Sequence, residues 1–471
     1  MIVVGGFLGF RSLTAGAEGA ADPEAADDIA EVMMRLQGGY AVGAVELIPQ
    51  SGSGAQMLAQ LRPTLEMGSP RQRMRFAILA ADLAGPAEGQ GVLDRLAALV
   101  PESVSVEVLE PSDARAFALL EDVFAAMDGQ TGPGLTVDDR TFLADHLGWF
   151  GELGAGLHPG TDSAVRADVV ADAKQTTIGV FVVFIAMAIV AIIGLVLLVL
   201  ALALNLTGRL RSTRTVRPDL HGILAETFAV WLPLFLGLQL VGGIGLMLVT
   251  QPEPPTTRQA MGVALAGFWG SLAALAWPLM RGLSWRNLLG SMGMHRGRGV
   301  LREIGAGIIA WMAAIPMLGV GLALTFMLMV LMGLAGSAVA SDPLAPAVGP
   351  AHPIIGELAS GDPVLIVLIL LLGAVSAPVI EELFFRGCLF AHLRDAAHRW
   401  SPWLAVAMSA LVSSFVFAVI HPQGLVAVPA LSSLAIAFCL AREWRGSLIA
   451  PMVMHAINNG LVLGGVVLLL G

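Results

Sequence analysis

The chain has 471 residues, of which 56% are hydrophobic and only 13% are charged, and its mean hydropathy is +0.78. Soluble domains carry about 25% charged residues, so this composition excludes an ordinary soluble protein and indicates a multi-pass membrane protein. The net charge of −10 argues against nucleic-acid binding, and two cysteines, Cys388 and Cys439, are too few for a disulfide framework or an all-cysteine metal site.

The first 175 residues differ from the rest of the chain in charge. They carry 25 acidic and 11 basic side chains, a net charge of −14, whereas the remainder has a net charge of +4. Start and stop signals predict helices from Asp22-Pro23 to Gly38-Gly39, from Ser69-Pro70 to Gly85-Pro86, from Ser112 to Met127 and from Val137 to Leu153. We therefore predict an acidic, soluble helical domain over residues 1–175, without chemistry of its own. Its acidity suggests the hypothesis of a protein partner.

Apolar segments long enough to cross a bilayer, which takes about 20 residues, fill the rest of the chain. Eight such segments cover residues 177–205, 225–249, 260–280, 304–334, 363–390, 403–421, 425–441 and 447–470. They predict an all-α fold, a polytopic membrane bundle of about eight transmembrane helices. We divide it into the first two helices, residues 176–259, and a second domain, residues 260–471.

The distribution of arginine predicts which loops face the cytoplasm. One set of alternate loops is rich in arginine, whereas the other set contains little beyond Arg258. By the positive-inside rule the rich set is cytoplasmic, and eight spans then place both termini outside. The rich set contains Arg209, Arg211, Arg214, Arg217, Arg281, Arg286, Arg296, Arg298, Arg302, Arg394, Arg399, Arg442 and Arg445.

Glu381 and Glu382 end an uncharged apolar run that begins at Pro363, and Arg386 follows them. Ionisable groups at membrane depth are costly, so they indicate a functional site unless they form a stabilising charge cluster at the membrane boundary. Residues four apart share a helix face, which predicts an ion pair between Glu382 and Arg386. Glu381 points about 100° away around the helix and is available as a general base.

Two histidines interrupt other apolar segments. His421 follows Phe417 by four residues, and His455 precedes Asn459 by four, so each pair shares one helix face. A single histidine in an apolar helix is more often a satisfied core group than a ligand. Together with an unpaired Glu381, however, the two histidines indicate a site that activates water.

Two chemical schemes fit these residues. In one, Glu381, His421 and His455 bind a divalent metal such as zinc and leave one position open for water. In the other, which needs no cofactor, Glu381 and His421 deprotonate a water while His455 and Asn459 donate hydrogen bonds to an oxyanion. The sequence has no HExxH motif and no GxSxG elbow, so it does not support the usual zinc-protease or serine-hydrolase arrangements.

Three ordered motifs resemble the signature of the CPBP family, which comprises membrane-type CAAX prenyl endopeptidases and bacteriocin-processing and immunity proteins. The motifs are Glu381-Glu382-x-x-x-Arg386, Phe417-x-x-x-His421 and His455-x-x-x-Asn459. The resemblance implies an all-α intramembrane protease, often described as a metalloprotease, that hydrolyses peptide bonds near the cytoplasmic face. It also implies water activation by Glu381 and His421, completion of the site by His455 and Asn459, and support from Glu382, Arg386 and Phe417.

Other functions fit the same polar residues. The chain could be a non-catalytic membrane immunity or scaffold protein, or a proton-coupled transporter that uses Glu381 and Arg386. For a protease, the expected partners are the lipid bilayer and a membrane-associated protein or peptide substrate, with no nucleic acid. The expected location is a bacterial inner membrane.

Strict alternation of the spans raises a geometric difficulty. It places Glu381 near the cytoplasmic end of segment 363–390 and His421 near the opposite end of segment 403–421. A helix of about 18 residues is about 27 Å long, too far for the two side chains to share a water. Either the sixth span is short and tilted, as its length favours, or Glu381 lies deeper than hydropathy indicates.

Overall fold

The computed structural model of the protein describes residues 23–49, 52–99, 110–130, 134–336, 362–421 and 423–470. Every regular element within these ranges is helical, and they contain no strand. The described residues form two compact units, one of residues 23–186 and one of residues 187–336 with 362–470. The predicted all-α fold is therefore confirmed.

The N-terminal unit is a bundle of short helices. Its helices are α1 (Pro23–Leu47), α2 (Ser53–Leu65), α3 (Pro70–Ala84), α4 (Pro86–Leu99), α5 (Pro111–Met127), α6 (Val137–Leu147) and α7 (Trp149–Leu157), and α8 (Ser163–Leu206) begins there. Helix α3 is central, since residues 72–81 are all buried. Ser69 starts this helix with a capping box, in which Ser69 Oγ accepts the Gln72 N–H and the Gln72 side chain accepts the Ser69 N–H.

Two predicted boundaries in this unit are wrong. Helix α1 continues through Gly38-Gly39, because glycine there allows close packing: a Cβ on Gly38 would lie 3.0 Å from the ring of Phe150. The predicted helix from Val137 to Leu153 is instead two helices. They are separated by Gly148, which has a φ of +62° and starts α7.

Asp113 is a buried carboxylate in the core of the N-terminal unit. Its Oδ1 lies 3.0 Å from Arg71 Nε and 2.6 Å from His146 Nε2. Burial would raise the pKa of Asp113, but the hydrogen bonds with His146 and Arg71 outweigh that effect and leave the pKa below its usual range. The ionised form of Asp113 therefore stabilises the folded unit.

The second unit contains the long apolar helices. They are α9 (His221–Thr250), α10 (Thr257–Met280), α11 (Trp285–Met292), α12 (Val300–Gly336), α13 (Pro363–Ala396), α14 (Pro402–Val419), α15 (Val428–Arg445) and α16 (Ile449–Leu470). Seven helices in the described residues are long and apolar enough to cross a membrane: α8, α9, α10, α12, α13, α14 and α15 with its preceding turn. The chain is a multi-pass membrane protein. The eighth predicted span coincides with α16, and some of its last side chains lie outside the description.

Helix α13 is longer than the sequence predicted and is not a regular α-helix. It continues past residue 390 to Ala396, and two π turns, Leu371–Ser376 and Phe385–Leu389, interrupt it. The segment between them, Ala377–Phe384, carries both glutamates. Glu381 lies 15 residues before the end of α13, about 22 Å along the helix, so the returning helix α14 brings its far end level with Glu381. Glu381 therefore lies farther from the end of its helix than the sequence predicted, and this resolves the geometric difficulty.

Replacing Asp113 by asparagine should destabilise the N-terminal unit. At pH 7 we expect a loss of about 1–3 kcal/mol, because hydrogen bonds to a buried charge are lost. A carboxyl with a lowered folded-state pKa stabilises above its unfolded pKa of about 3.9 and loses that effect as the pH falls through the folded value. The difference between wild type and Asp113→Asn should therefore shrink between pH 4 and pH 2.

Calorimetry of the purified full-length protein at several pH values measures this difference. Glu121→Gln, an exposed substitution on the same helix α5, is the control and should match wild type at each pH. An Asp113→Asn deficit that is the same at pH 7 and pH 2 would contradict the assignment.

Candidate functional site

Glu382 and Arg386 form the predicted ion pair. Arg386 Nη1 lies 2.9 Å from Glu382 Oε1, and both side chains are completely buried. A second donor joins the same oxygen, since His455 Nδ1 lies 2.9 Å from Glu382 Oε1. Burying two charges costs several kcal/mol for each ion unless they are paired and hydrogen-bonded. Here the ions are paired through Glu382 Oε1, whereas Glu382 Oε2 and Arg386 Nε have no hydrogen-bond partner among the described residues.

Two aromatic rings enclose the guanidinium of Arg386. Its Cζ lies 4.6 Å from the ring centroid of Phe417 and 5.1 Å from that of Phe438, and Nη2 donates to the Ala435 carbonyl at 3.2 Å. Phe438 also stacks on the ring of His455, with centroids 5.2 Å apart. The sequence pattern had not singled out Phe438 or Ala435; Phe438 lies four residues before Arg442 on an apolar helix and looks like ordinary core.

Glu381 stands apart from this ion pair. It is 1% exposed, and neither carboxylate oxygen has a hydrogen-bond partner among the described residues. His421 Nε2 and His455 Nε2 both lie 3.9 Å from the same atom, Glu381 Oε2. These distances are too long for direct hydrogen bonds but suit one atom bridging the groups. The structure thus brings together the three side chains that the sequence predicted.

The other nitrogen of each histidine fixes what Nε2 can do. His421 Nδ1 lies 2.5 Å from the Phe417 carbonyl, which only accepts, so Nδ1 carries a proton. His455 Nδ1 donates in the same way to the Glu382 carboxylate. In a neutral imidazole the remaining nitrogen, Nε2, is then an acceptor. Two imidazole lone pairs and one carboxylate oxygen therefore converge, and this arrangement calls for a donor or a cation between them.

The chemistry of this donor set fits a divalent metal, because neutral imidazoles and a carboxylate are the usual ligands of catalytic zinc. The geometry is less suited. Among the residues that the structure describes, no group of three or more His, Cys, Asp or Glu side chains is arranged to hold a metal ion. Metal binding by Glu381, His421 and His455 stays a prediction.

Asn459 is near this site in sequence but bonds elsewhere. Its Nδ2 donates to the Gly373 carbonyl at 2.8 Å, in the first π turn of α13. Its Oδ1 lies 3.4 Å from Asn458 Nδ2. One N–H of the Asn459 amide remains for other use, so the predicted hydrogen bond to an oxyanion is neither made nor excluded by these contacts.

Several arginines of the predicted cytoplasmic loops are buried in ion pairs rather than exposed. The arginine-to-carboxylate distances run from 2.7 to 3.3 Å in the pairs Arg214–Asp395, Arg394–Glu443 and Arg445–Glu303. A fourth, Arg442, donates through Nη2 to the Met292 carbonyl at 3.0 Å and packs on Gly293, where a Cβ would collide with its guanidinium. These arginines therefore bind the ends of the long helices together, and the orientation that they predict stays a prediction.

Part of the second unit is similar to known proteins. Residues 363–461 match the family model described as Type II CAAX prenyl endopeptidase Rce1-like. Residues 363–461 are a domain of this family. The matched stretch contains all seven residues of the three motifs, from Glu381 to Asn459.

The chain is also similar to the membrane-embedded CAAX protease MroQ of Staphylococcus aureus (strain USA300). The two are 29% identical over 89 residues, which is 19% of this chain and 35% of that protein. The chain thus spans about a third of the length of the curated relative that it matches. No solved structure matches the chain.

Removing Arg386 should destabilise the second unit strongly. Arg386→Met keeps much of the side-chain volume but leaves Glu382 as a buried charge, and breaking a buried pair in this way costs about 3–5 kcal/mol. The double variant Glu382→Gln/Arg386→Met removes both charges and should recover part of that loss. The measurement is the thermal midpoint of the purified protein in detergent micelles.

Arg399→Met is the matched control, because Arg399 is exposed at the end of α13. It should leave the midpoint unchanged. If Arg386→Met were as stable as Arg399→Met, the ion pair would not hold this part of the bundle together.

Proposed function

We propose that the protein is an intramembrane endopeptidase that hydrolyses a peptide bond of a membrane-associated protein or peptide. The observation that carries this proposal is the convergence of His421 Nε2 and His455 Nε2 on one unpartnered oxygen of the buried Glu381, each at 3.9 Å. The match of the same residues to a CAAX protease family supports it. A bacterial inner membrane is the proposed location.

In this proposal a water lies between Glu381 and His421. It donates one hydrogen to the Glu381 carboxylate and the other to the Nε2 lone pair of His421, since both are acceptors. As the water oxygen attacks the scissile carbonyl, Glu381 takes a proton and later delivers it to the leaving amine. Burial keeps bulk water away from these charges, which strengthens each electrostatic contact in the site.

The carbonyl oxygen becomes an oxyanion and needs donors. Asn459 offers its second amide N–H, and His455 offers Nε2–H when its ring carries both protons. Glu382 fixes the direction of the His455 ring through Nδ1, and Arg386 with Phe417 holds Glu382 in place. Were a divalent metal bound by Glu381, His421 and His455, it would instead supply Lewis acidity to the water.

The N-terminal unit lies outside the matched residues, and we propose that it recruits a protein partner or substrate. Its net negative charge would suit a basic surface on that partner. The relative from Staphylococcus aureus is named as a CAAX protease. A membrane-associated protein that ends in a CAAX motif is accordingly one candidate substrate.

Glu381→Gln and His421→Ala should each abolish proteolysis. We expect kcat to fall at least about 100-fold, because Glu381→Gln removes the group that takes a proton from the attacking water and His421→Ala removes the second group that accepts a hydrogen bond from it. Full-length wild type and variants are expressed in cells that lack the chromosomal copy, and new protein termini in the membrane fraction are compared by mass spectrometry. Termini that need both Glu381 and His421 identify substrates, whose cleavage is then repeated with purified protein in lipid nanodiscs.

Matched controls are Glu253→Gln and His398→Ala, which change an exposed carboxylate and an exposed imidazole of the same chain. Both should retain the wild-type set of termini. If Glu381→Gln and His421→Ala keep full proteolysis, the proposed function is wrong. If no terminus depends on the protein, a scaffold or immunity role is favoured, and proton flux in proteoliposomes that depends on Glu381 would favour a transporter.

Chelation distinguishes the two ways of activating water. If Glu381 and His421 act directly, the purified protein should keep its cleavage rate after treatment with EDTA or 1,10-phenanthroline, within a factor of about two. A loss of at least about ten-fold, reversed by one equivalent of zinc, would instead establish the metal scheme. Metal content per chain, measured by emission spectrometry before and after treatment, accompanies each rate.

A further inference from the structure

The first π turn of α13, Leu371–Ser376, lies directly before the segment that carries Glu381. The π turn arises because Pro378 has no N–H to donate to a carbonyl of the preceding turn. The Ala377 N–H bonds to Leu372, five residues back, rather than to Gly373. The Gly373 carbonyl is therefore left without the donors that a regular helix would give it, at position 377 or, in a π turn, at position 378.

Side chains from two other helices bond to this turn, one to the Gly373 carbonyl and one to the Ser376 hydroxyl. Asn459 of α16 donates from Nδ2 to the Gly373 carbonyl at 2.8 Å. Trp269 of α10 donates from Nε1 to Ser376 Oγ at 3.1 Å. Ser376 is fully buried, whereas the Trp269 ring is about half exposed on the outside of the bundle. The turn is thus held at its third residue, Gly373, and at its last residue, Ser376, by donors that come from outside α13.

This turn decides the direction in which Glu381 points. A π turn accommodates one extra residue in a helix, and one residue of an α-helix corresponds to about 100° of rotation. Glu381 follows Ser376 by five residues in the same continuous helix. If the turn relaxed to α geometry, Glu381 Oε2 would turn away from the two histidine nitrogens that lie 3.9 Å from it.

We propose that Ser376 and Trp269 are positioning residues for Glu381, and that their hydrogen bond keeps the π turn in the geometry that aims this carboxylate at His421 and His455. Trp269 lies outside the residues that match the protease family, and neither residue belongs to the three motifs. The proposal deepens the proposed protease function and rests on it. Its effect on the turn itself can be measured without a substrate.

The chain offers a closely matched control. Ser271 is also a fully buried serine of the second unit, and its Oγ also accepts a tryptophan N–H at 3.1 Å, from Trp231. That bond joins α9 to α10 and does not touch the π turn. Ser271→Ala and Ser376→Ala therefore both remove a buried hydroxyl that accepts a tryptophan N–H, but only Ser376→Ala releases the turn. Ser271→Ala also removes the hydrogen bond from Ser271 Oγ to the Phe268 carbonyl, which makes it the more severe control.

The first experiment is hydrogen–deuterium exchange on the full-length protein in lipid nanodiscs. Ser376→Ala and Trp269→Phe should raise amide exchange over residues 371–384 by about five- to ten-fold, which corresponds to losing a hydrogen bond worth about 1 kcal/mol. Ser376→Thr, which keeps the hydroxyl, should restore wild-type exchange, and Ser271→Ala should leave this segment unchanged. Equal exchange in Ser376→Ala and wild type would overturn the proposal, whether or not the protein is a protease.

The second experiment measures cleavage of the substrate identified through Glu381-dependent termini. Ser376→Ala should lower kcat about ten-fold with KM unchanged within a factor of two, since the carboxylate is misaimed while the substrate still binds. Ser376→Thr should recover most of kcat, and adding Trp269→Phe to Ser376→Ala should cost nothing more. A kcat that falls equally in Ser271→Ala, or that Ser376→Thr fails to restore, would overturn the positioning role while leaving the proposed function intact.

Discussion

The membrane unit depends on how one buried charge pair is satisfied. Glu382 and Arg386 lie where neither water nor lipid can solvate them, so the pair depends on the contacts that its side chains make inside the bundle. Glu382 Oε2 and Arg386 Nε have no hydrogen-bond partner among the described residues. Phe417 and Phe438 cover the guanidinium, Ala435 accepts from it, and His455 shares the carboxylate oxygen. These contacts join α13 to the three helices that follow it. The same ion pair thus stabilises the bundle and fixes the orientation of the His455 ring.

Much of the site was predictable because helix periodicity is strict. Spacing of four residues correctly paired Glu382 with Arg386 and left Glu381 without a partner on its own helix. The placement of Glu381 was harder. Hydropathy ends the fifth span at residue 390, whereas α13 continues to Ala396. A window of apolar residues does not register charges that are buried in pairs, so the span it predicts is too short and Glu381 is placed too near its end.

The features that the sequence did not reveal are those set by tertiary contacts. Gly38-Gly39 was predicted to end a helix, but Gly38 instead allows close packing against Phe150. The sequence alone does not distinguish a glycine that ends a helix from one that makes room for a neighbouring side chain. In the sequence Phe438 looks like an ordinary core residue, whereas in the structure its ring stacks on His455. Pro378 does predict a disturbed helix, yet only the structure shows that Asn459 donates to the Gly373 carbonyl and that Trp269 donates to the neighbouring Ser376 hydroxyl.

The tautomers of the two histidines make the centre of the site electron-rich. With Nδ1 of His421 and His455 committed to donation, both inward nitrogens present lone pairs beside a carboxylate oxygen. If a divalent cation entered this centre, it would take the position that we propose for the water. Zinc in excess is then expected to inhibit a protease that activates its water without a metal. Metal that stays bound through purification would then report the affinity of these three atoms for a cation. A catalytic role for that metal would follow only if cleavage activity rose and fell with the amount of metal per chain.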